Sequence, residues 1–281
     1  MSFVKWVGGK SNLLPQILSR IMCIPGRKDK IYFEPFLGSG VILQNVIRLF
    51  NFKKYIVSDI NPILIETHKC IKDNIDDLIK CLEMISDDTT EKSYYALREV
   101  FNNSLLEHEY STFTCALFIY LNHTCYRGLY RVNKKGRFNT PYGHYKNPRI
   151  YDETLLRTIS ELYNSVDIEF RCSDYLKIDF RNNNVIYLDP PYTLAFDQYS
   201  NKSFNQHRID YTIFLLTQTS NSNYIVMSDN DLFHNDVKTY FDCEVITIQD
   251  KINAKNPGST RTEILGDNFK SINKNNLLNQ S

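Results

Sequence analysis

The run Asn184-Val185-Ile186-Tyr187-Leu188, followed by Asp189-Pro190-Pro191-Tyr192, constrains the fold of this chain more than any other stretch. The uncharged, mostly apolar residues before Asp189 predict a buried strand. Two successive prolines end it abruptly, since neither can donate a ladder hydrogen bond. A carboxylate and an aromatic ring are thereby presented on a stiff turn at the carboxyl end of a strand. In open α/β sheets that is where ligands bind.

Such a turn suits transfer of a methyl group to an exocyclic amine of a planar base. The amine is a poor nucleophile because its lone pair is delocalised into the ring. Two acceptors aimed at its hydrogens pull it toward tetrahedral geometry and free the lone pair. The Asp189 carboxylate and the Pro190 carbonyl are candidates for the two acceptors, and Tyr192 for a ring that stacks on the base. The alternative is a plain strand-to-loop turn with an incidental Asp.

The rest of the chain supplies an α/β frame. Phe3-Val4-Lys5-Trp6-Val7-Gly8-Gly9-Lys10 carries a Gly-Gly pair, the only Trp and two Lys. A helix is expected after it, with Ser11 as its cap. Ile31 to Glu34 is a short strand, and Pro35-Phe36-Leu37-Gly38-Ser39-Gly40 turns from it into an apolar helix. Strand, glycine turn and helix form the first unit of a nucleotide-binding sheet, although this is not the G-x-G-x-x-G of dinucleotide enzymes. Lys54 to Asp59 is a second strand ending in an acid. That position suits ribose hydroxyls, with capping of the next helix as the alternative and Asn61 as a rival cap. Further strands are expected at 166–171, 184–188, 223–230, 245–249 and 262–265, and helices at 153–164 and 205–220. Asp174 is placed either to touch a cofactor base from the next strand end or to cap a turn, with the cap the first expectation. Residues 253–261 read as a mobile loop, and the Asn-rich stretch 270–281 as a disordered tail.

The residues between about 62 and 122 have helical patterns, and from Lys72 to Glu109 they hold 10 acidic against 4 basic residues. The pattern then inverts. Tyr110 to Tyr151 contains no Asp or Glu but seven basic residues, interleaved with Tyr126, Tyr130, Phe138, Tyr142 and Tyr145. Lys134-Lys135-Gly136 predicts a hairpin tip. A basic, aromatic, loop-rich stretch fits phosphate contacts together with base readout by Arg. Because net charge is only +1, any nucleic-acid surface must be local. The 7 cysteines include no C-x-x-C pair. They read mostly as buried thiols of a reducing compartment, neither a disulfide framework nor a zinc site. With no apolar run near 18 residues and no signal peptide visible, an intracellular protein is expected.

The motifs at 5–10, 33–40, 58–61, 128–133 (Gly-Leu-Tyr-Arg-Val-Asn), 138–143 (Phe-Asn-Thr-Pro-Tyr-Gly) and 189–192 occur in this order. With them the chain resembles the Dam family of DNA adenine-N6 methyltransferases from about residue 3 to about 268. The block at 128–148 is the specific part, since Asp-Pro-Pro-Tyr also occurs in RNA methyltransferases. The resemblance implies a Rossmann-like core that uses S-adenosylmethionine, formed by residues 1–61 and 151–269. It also implies a mainly helical target-recognition domain at 62–150 that carries the basic hairpin. Trp6, Lys10, Asp59 and Asp189 match cofactor-binding positions, and the glycine turn adds Phe36, Gly38 and Gly40. Lys5 and Arg131 match positions that contact guanines, Leu129 and Pro141 neighbouring base contacts, and Tyr126 a wedge into the duplex. Arg127 stands where the family usually has Asn, and His144 where it usually has Arg; both belong to the expected DNA-binding set.

The implied reaction flips an adenine out of double-stranded DNA and methylates it in a short site beginning GA, with GATC the first expectation. No metal and no membrane are implied, and a functional pairing with a restriction endonuclease is compatible with the resemblance. The alternatives are an RNA or cytosine-N4 methyltransferase of the same fold and a catalytically silent DNA-binding regulator.

Overall fold

The computed structural model describes residues 2–6, 8–190, 204–229, 241–249 and 260–272. Tyr192, most of the 253–261 loop and residues 273–281 therefore lie outside the described residues. Eight helices are described: α1 (Leu14–Met22), α2 (Val41–Leu49), α3 (Pro62–Asp73), α4 (Ile75–Ser86), α5 (Glu91–Leu106), α6 (Thr112–Thr124), α7 (Glu153–Asn164) and α8 (Phe204–Ser220). The strands are β1 (Ile31–Glu34), β2 (Lys54–Asp59), β3 (Ile168–Cys172), β4 (Val185–Leu188), β5 (Tyr224–Asp229), β6 (Asp242–Gln249) and β7 (Thr260–Asp267). They form a seven-stranded sheet in the order β3-β2-β1-β4-β5-β7-β6.

The α/β expectation holds. β1 pairs in parallel with β2 and β4, and β4 with β5, while β7 runs antiparallel to β5 and β6. The strand order reverses between β1 and β4, which makes their carboxyl ends the switch point where open sheets bind ligands. All four residues of β4 are buried, as a parallel strand covered on both faces requires.

Two compact units are distinguished: Met1–Gly9 with Leu37–Arg48 and Ser58–Cys172, and Lys10–Phe36 with Leu49–Val57 and Ser173–Ser281. The first holds residues 62–150 entire. Its central helix, α6, is apolar almost all round and packs on α3, α4 and α5. Side-chain caps start its helices: Thr90 accepts from the Ser93 N–H, Ser111 from Thr114 and Asp152 from Leu155. In the second unit Phe33, Ile186, Leu188, Ile225 and Met227 of the strands meet Phe214 and Leu215 of α8 in one apolar cluster.

Some expectations are corrected. Ser11 caps nothing; α1 starts at Leu14 behind Leu13 with no side-chain cap, and Pro15 sets its start. Thr260 and Arg261 belong to β7 rather than to a loop. Residues 269–272 form a helical turn and Ile272 is buried, because Asn268 ties this segment to the Ile225 N–H and the Asn223 carbonyl. Of the cysteines, Cys70, Cys115 and Cys125 are buried, whereas Cys23 and Cys172 are exposed. Among the described residues no helix is long and apolar enough to cross a membrane.

Candidate functional site

In the first unit the chain leaves β2 through Asp59 and folds back on the glycine turn. The carboxylate accepts from the Gly38 N–H through one oxygen (3.0 Å) and from the Asn61 N–H through the other (2.9 Å). Burial pushes the Asp59 pKa up, and these backbone donors hold it back. The cap of α3 falls to Asn61, with Pro62 behind it, so helix capping does not explain Asp59. Gly38 and Gly40 have φ of +50° and +71°, a region in which side chains are strained. A Cβ on Gly38 would lie 3.0 Å from the Trp6 ring, and one on Gly40 would lie 2.9 Å from His68. The turn is a cradle kept open by missing side chains.

His68 of α3 braces that cradle and was not singled out by the sequence; its position on an otherwise apolar helix face was the available signal. Nε2 lies 2.9 Å from the Gly38 carbonyl, which only accepts, so Nε2 carries the proton. Nδ1 accepts from the Tyr163 hydroxyl at 3.0 Å. Burial holds the His68 pKa down at about 4, against an ordinary value of 6.5. Its neutral form therefore contributes stability that is complete above pH 6.5 and is lost as pH falls toward 4, about 3 kcal/mol in all. Denaturant titrations of the parent and His68→Gln from pH 7.5 to 4.5 are expected to show a shallower acid loss in the variant. The difference between the two isolates His68 from Asp59, whose raised pKa acts in the opposite direction. Equal slopes would assign the acid loss to other groups.

The same unit carries the basic segment. Cys125 bridges Tyr142 and Val132 bridges Phe138, and Gly136 makes the turn at the expected hairpin tip. Asn102 of α5 holds both the N–H and the carbonyl of Phe138, so the hairpin is seated on a helix. Lys5 reaches this segment: Asn122 accepts from its N–H and donates to its carbonyl and to that of Gly128. The Lys5 ammonium lies 4.4 Å from the centre of the Tyr145 ring. Desolvation lowers its pKa. Tyr126 and Leu129 are exposed, and the Pro141 carbonyl accepts from the Tyr126 N–H. Arg127 sits at φ +57° with its guanidinium 5.2 Å from the Tyr126 ring centre. Arg131 donates from Nε to Asn139 (2.8 Å), and His144, at φ +54°, rests its ring edge-on against Tyr142. Trp6 stacks on Tyr130 in the same unit. Asn122 is a further residue that the sequence reading missed; a lone Asn in the apolar run of α6 was its signal.

In the second unit Asp189 lies at the carboxyl end of β4. Lys10, 4% exposed, places its ammonium 2.6 Å from Asp189 Oδ1. The Ser228 hydroxyl donates to the same oxygen at 3.2 Å. Burial pushes the Asp189 pKa up, Glu263 adds to that, and Lys10 and Ser228 oppose it. Pro190 is buried. The Phe36 ring packs on Tyr175 rather than standing free. Asp174 caps the turn at Tyr175–Lys177 as expected. Tyr192 lies outside the described residues.

Comparison with known proteins gives the family. A family model described as D12 class N6 adenine-specific DNA methyltransferase matches residues 6–252. The type II methyltransferase M.MjaIII of Methanocaldococcus jannaschii is 39% identical over 218 residues, covering 72% of this chain and 74% of that protein. The type II methyltransferase M1.LlaDCHI of Lactococcus lactis is 33% identical over 210 residues, covering 72% and 71%. A DNA adenine methylase of Haemophilus influenzae is 36% identical over 195 residues, covering 68% and 63%.

Proposed function

We propose that this chain, which belongs to the D12 class N6 adenine-specific DNA methyltransferase family, reads a short duplex site beginning GA and methylates an adenine flipped out of it. GATC is the first candidate for that site. The observation that carries the catalytic part is the carboxylate of Asp189, fixed through one oxygen by a buried ammonium and a serine hydroxyl.

The residues present fit S-adenosylmethionine. Gly38 and Gly40 leave room where side chains would collide, and Asp59 is a half-buried carboxylate fixed beside them. In this reading Trp6, Gly38, Gly40 and Asp59 hold the cofactor. When bound, the cofactor supplies a methyl group on a sulfonium, a good leaving group that needs no metal. Asp189 and the Pro190 carbonyl accept hydrogen bonds from the two N–H groups of the adenine amine and hold its lone pair in line, and the one proton that the methylated nitrogen sheds leaves to solvent. Tyr192 stacks on the flipped base, which returns about 1–3 kcal/mol toward the unstacking. Much of the acceleration is positioning.

Recognition falls to the basic segment. Lys5 and Arg131 take guanines, Leu129 and Pro141 pack against neighbouring bases, and Tyr126 wedges the duplex. Arg127 and His144 adjust backbone contacts, and a longer site would account for them. Since Arg131 gives only Nε to Asn139, its terminal nitrogens are expected to face the guanine edge. Arg131→Ala is then expected to lose about 1–3 kcal/mol of discrimination at that base pair. Competition between cognate and single-substituted duplexes measures it, and an unchanged preference removes Arg131 from the readout.

The test of the whole reading is methylation of unmethylated plasmid with S-adenosylmethionine, read by single-molecule sequencing. One methylated adenine motif supports it and names the site. An absence of modified adenine despite cofactor binding rejects it.

A further inference from the structure

Asp189 and Ser228 sit side by side because their strands are in parallel register. Leu188 of β4 pairs with Met227 of β5, so the next residue of each leaves the same sheet edge. The Ser228 hydroxyl, fully buried, donates to Asp189 Oδ1 (3.2 Å) and lies 3.0 Å from the Tyr187 hydroxyl. A hydroxyl has one proton. With that proton on Asp189, Ser228 accepts from Tyr187, which makes a chain Tyr187→Ser228→Asp189. Lys10 approaches the same carboxylate oxygen, at 2.6 Å. Among the described residues every donor that reaches Asp189 takes Oδ1.

We infer that Ser228, oriented by Tyr187, is a positioning residue for the reaction: it fastens Oδ1 so that Oδ2 alone is turned to the amine of the target base. The inference rests on the reading of Asp189 as the amine acceptor. A carboxylate held only by a lysine can pivot about that single contact, because an ammonium binds as a point charge without fixed direction. A second donor on the same oxygen fixes the carboxylate plane. A shift of about 1 Å at the reacting atoms is enough to cost about 100-fold in rate.

The surroundings sharpen the requirement. Among the described residues the charged and titratable groups that face Asp189 are Lys10 before α1, Tyr187 on β4, Tyr211 on α8 and Glu263 on β7. Glu34 and Asp229 act on those tyrosines in turn. Among the described residues only Lys10 is a cation, so the carboxylate leans on its hydrogen bonds to stay ionised in a largely desolvated place.

The test compares Ser228→Ala, Ser228→Thr, Tyr187→Phe and Asp189→Asn with the parent. Single-turnover methylation is measured from pH 5 to 9, with cofactor binding followed by the fluorescence of Trp6. Ser228→Ala is expected to lose about 10- to 100-fold in turnover, as for a hydrogen bond to a charged group. Its acid limb should move to higher pH, because the lost donor favoured the ionised carboxylate. KM for cofactor and DNA should stay within about twofold. Ser228→Thr keeps the hydroxyl and should restore most of the rate, while Tyr187→Phe should give a smaller loss and a shift in the same direction. If Ser228→Ala is as active as the parent with an unmoved acid limb, the inference is overturned. Should Ser228→Ala fail to fold, an unmoved acid limb and parental rate in Tyr187→Phe overturn it instead. An active Asp189→Asn would strike the underlying reading of Asp189; an inactive one beside an unaffected Ser228→Ala strikes the positioning role alone.

Discussion

Asp189→Ala is expected to reduce methylation by about 1000-fold or more, and Asp189→Asn by about 100-fold or more, with duplex binding retained in both. The two substitutions fail for different reasons. Alanine removes the acceptor and also leaves the ammonium of Lys10, 4% exposed, without the carboxylate that balances it. Breaking a buried pair from one side costs about 3–5 kcal/mol of stability. A lost melting transition in this variant would be the pair speaking rather than the chemistry, and weakened cofactor binding is expected with it. Asparagine keeps the shape. Lys10 and Ser228 both donate, so the amide oxygen must take the Oδ1 position that they share. The amide nitrogen is then where Oδ2 was, and it meets the amine of the base donor against donor. Single-turnover assays with thermal unfolding on the same samples separate the two effects. Near-parental methylation by Asp189→Asn, with its fold intact, would sink the acceptor mechanism.

The buried strand that ends at Asp189 was legible in the sequence, and so was most of the α/β frame. A short apolar run stopped by two prolines leaves few alternatives, and β4 is buried along its length. The order of strands was not legible. That β7 lies between β5 and β6 depends on pairing between segments distant in the chain, which local pattern does not encode. The partners of Asp189 were hidden for the same reason. Lys10 and Ser228 lie far from it in sequence, and nothing in Met227-Ser228-Asp229 says which polar side chain faces which neighbour. His68 was obscured differently. A histidine on an apolar helix face is more often a satisfied core residue, and only the glycine turn against it shows what it braces. Ser11 shows the converse error. A serine before an apolar run is a sound cap signal, but Pro15 a few residues on decides where α1 can begin.

Gly143→Ala is the substitution expected to separate recognition from cofactor binding most cleanly. A Cβ there would lie 2.7 Å from the Cys125 carbonyl oxygen and 2.8 Å from that of Thr124, and would run into the Tyr145 ring. Two of these neighbours are backbone, and the Gly143 N–H is already bonded to the Thr124 carbonyl at 2.8 Å, so the segment has no free direction in which to yield. Such overpacking costs about 1–3 kcal/mol in stability. Its structural consequence runs through Tyr145. The Tyr145 hydroxyl accepts from the Arg127 N–H at 3.1 Å, and its ring lies beneath the Lys5 ammonium. Moving that ring displaces two of the proposed DNA contacts at once. Duplex affinity is expected to fall by about 10- to 100-fold, while cofactor affinity, resting on Gly38, Gly40 and Asp59, stays within about twofold. Gly136→Ala is the matched control. Its Cβ would meet nothing within 4 Å, and only its φ of +75° opposes a side chain. A cost of about 1–2 kcal/mol with duplex affinity little changed is expected there. Titrations of both variants with a fluorescent duplex and with S-adenosylmethionine decide the matter. Equal loss of both ligands in Gly143→Ala would show that the recognition segment and the glycine turn fold as one cooperative piece. Unchanged duplex affinity would mean that the Lys5–Tyr145–Arg127 arrangement takes no part in gripping DNA.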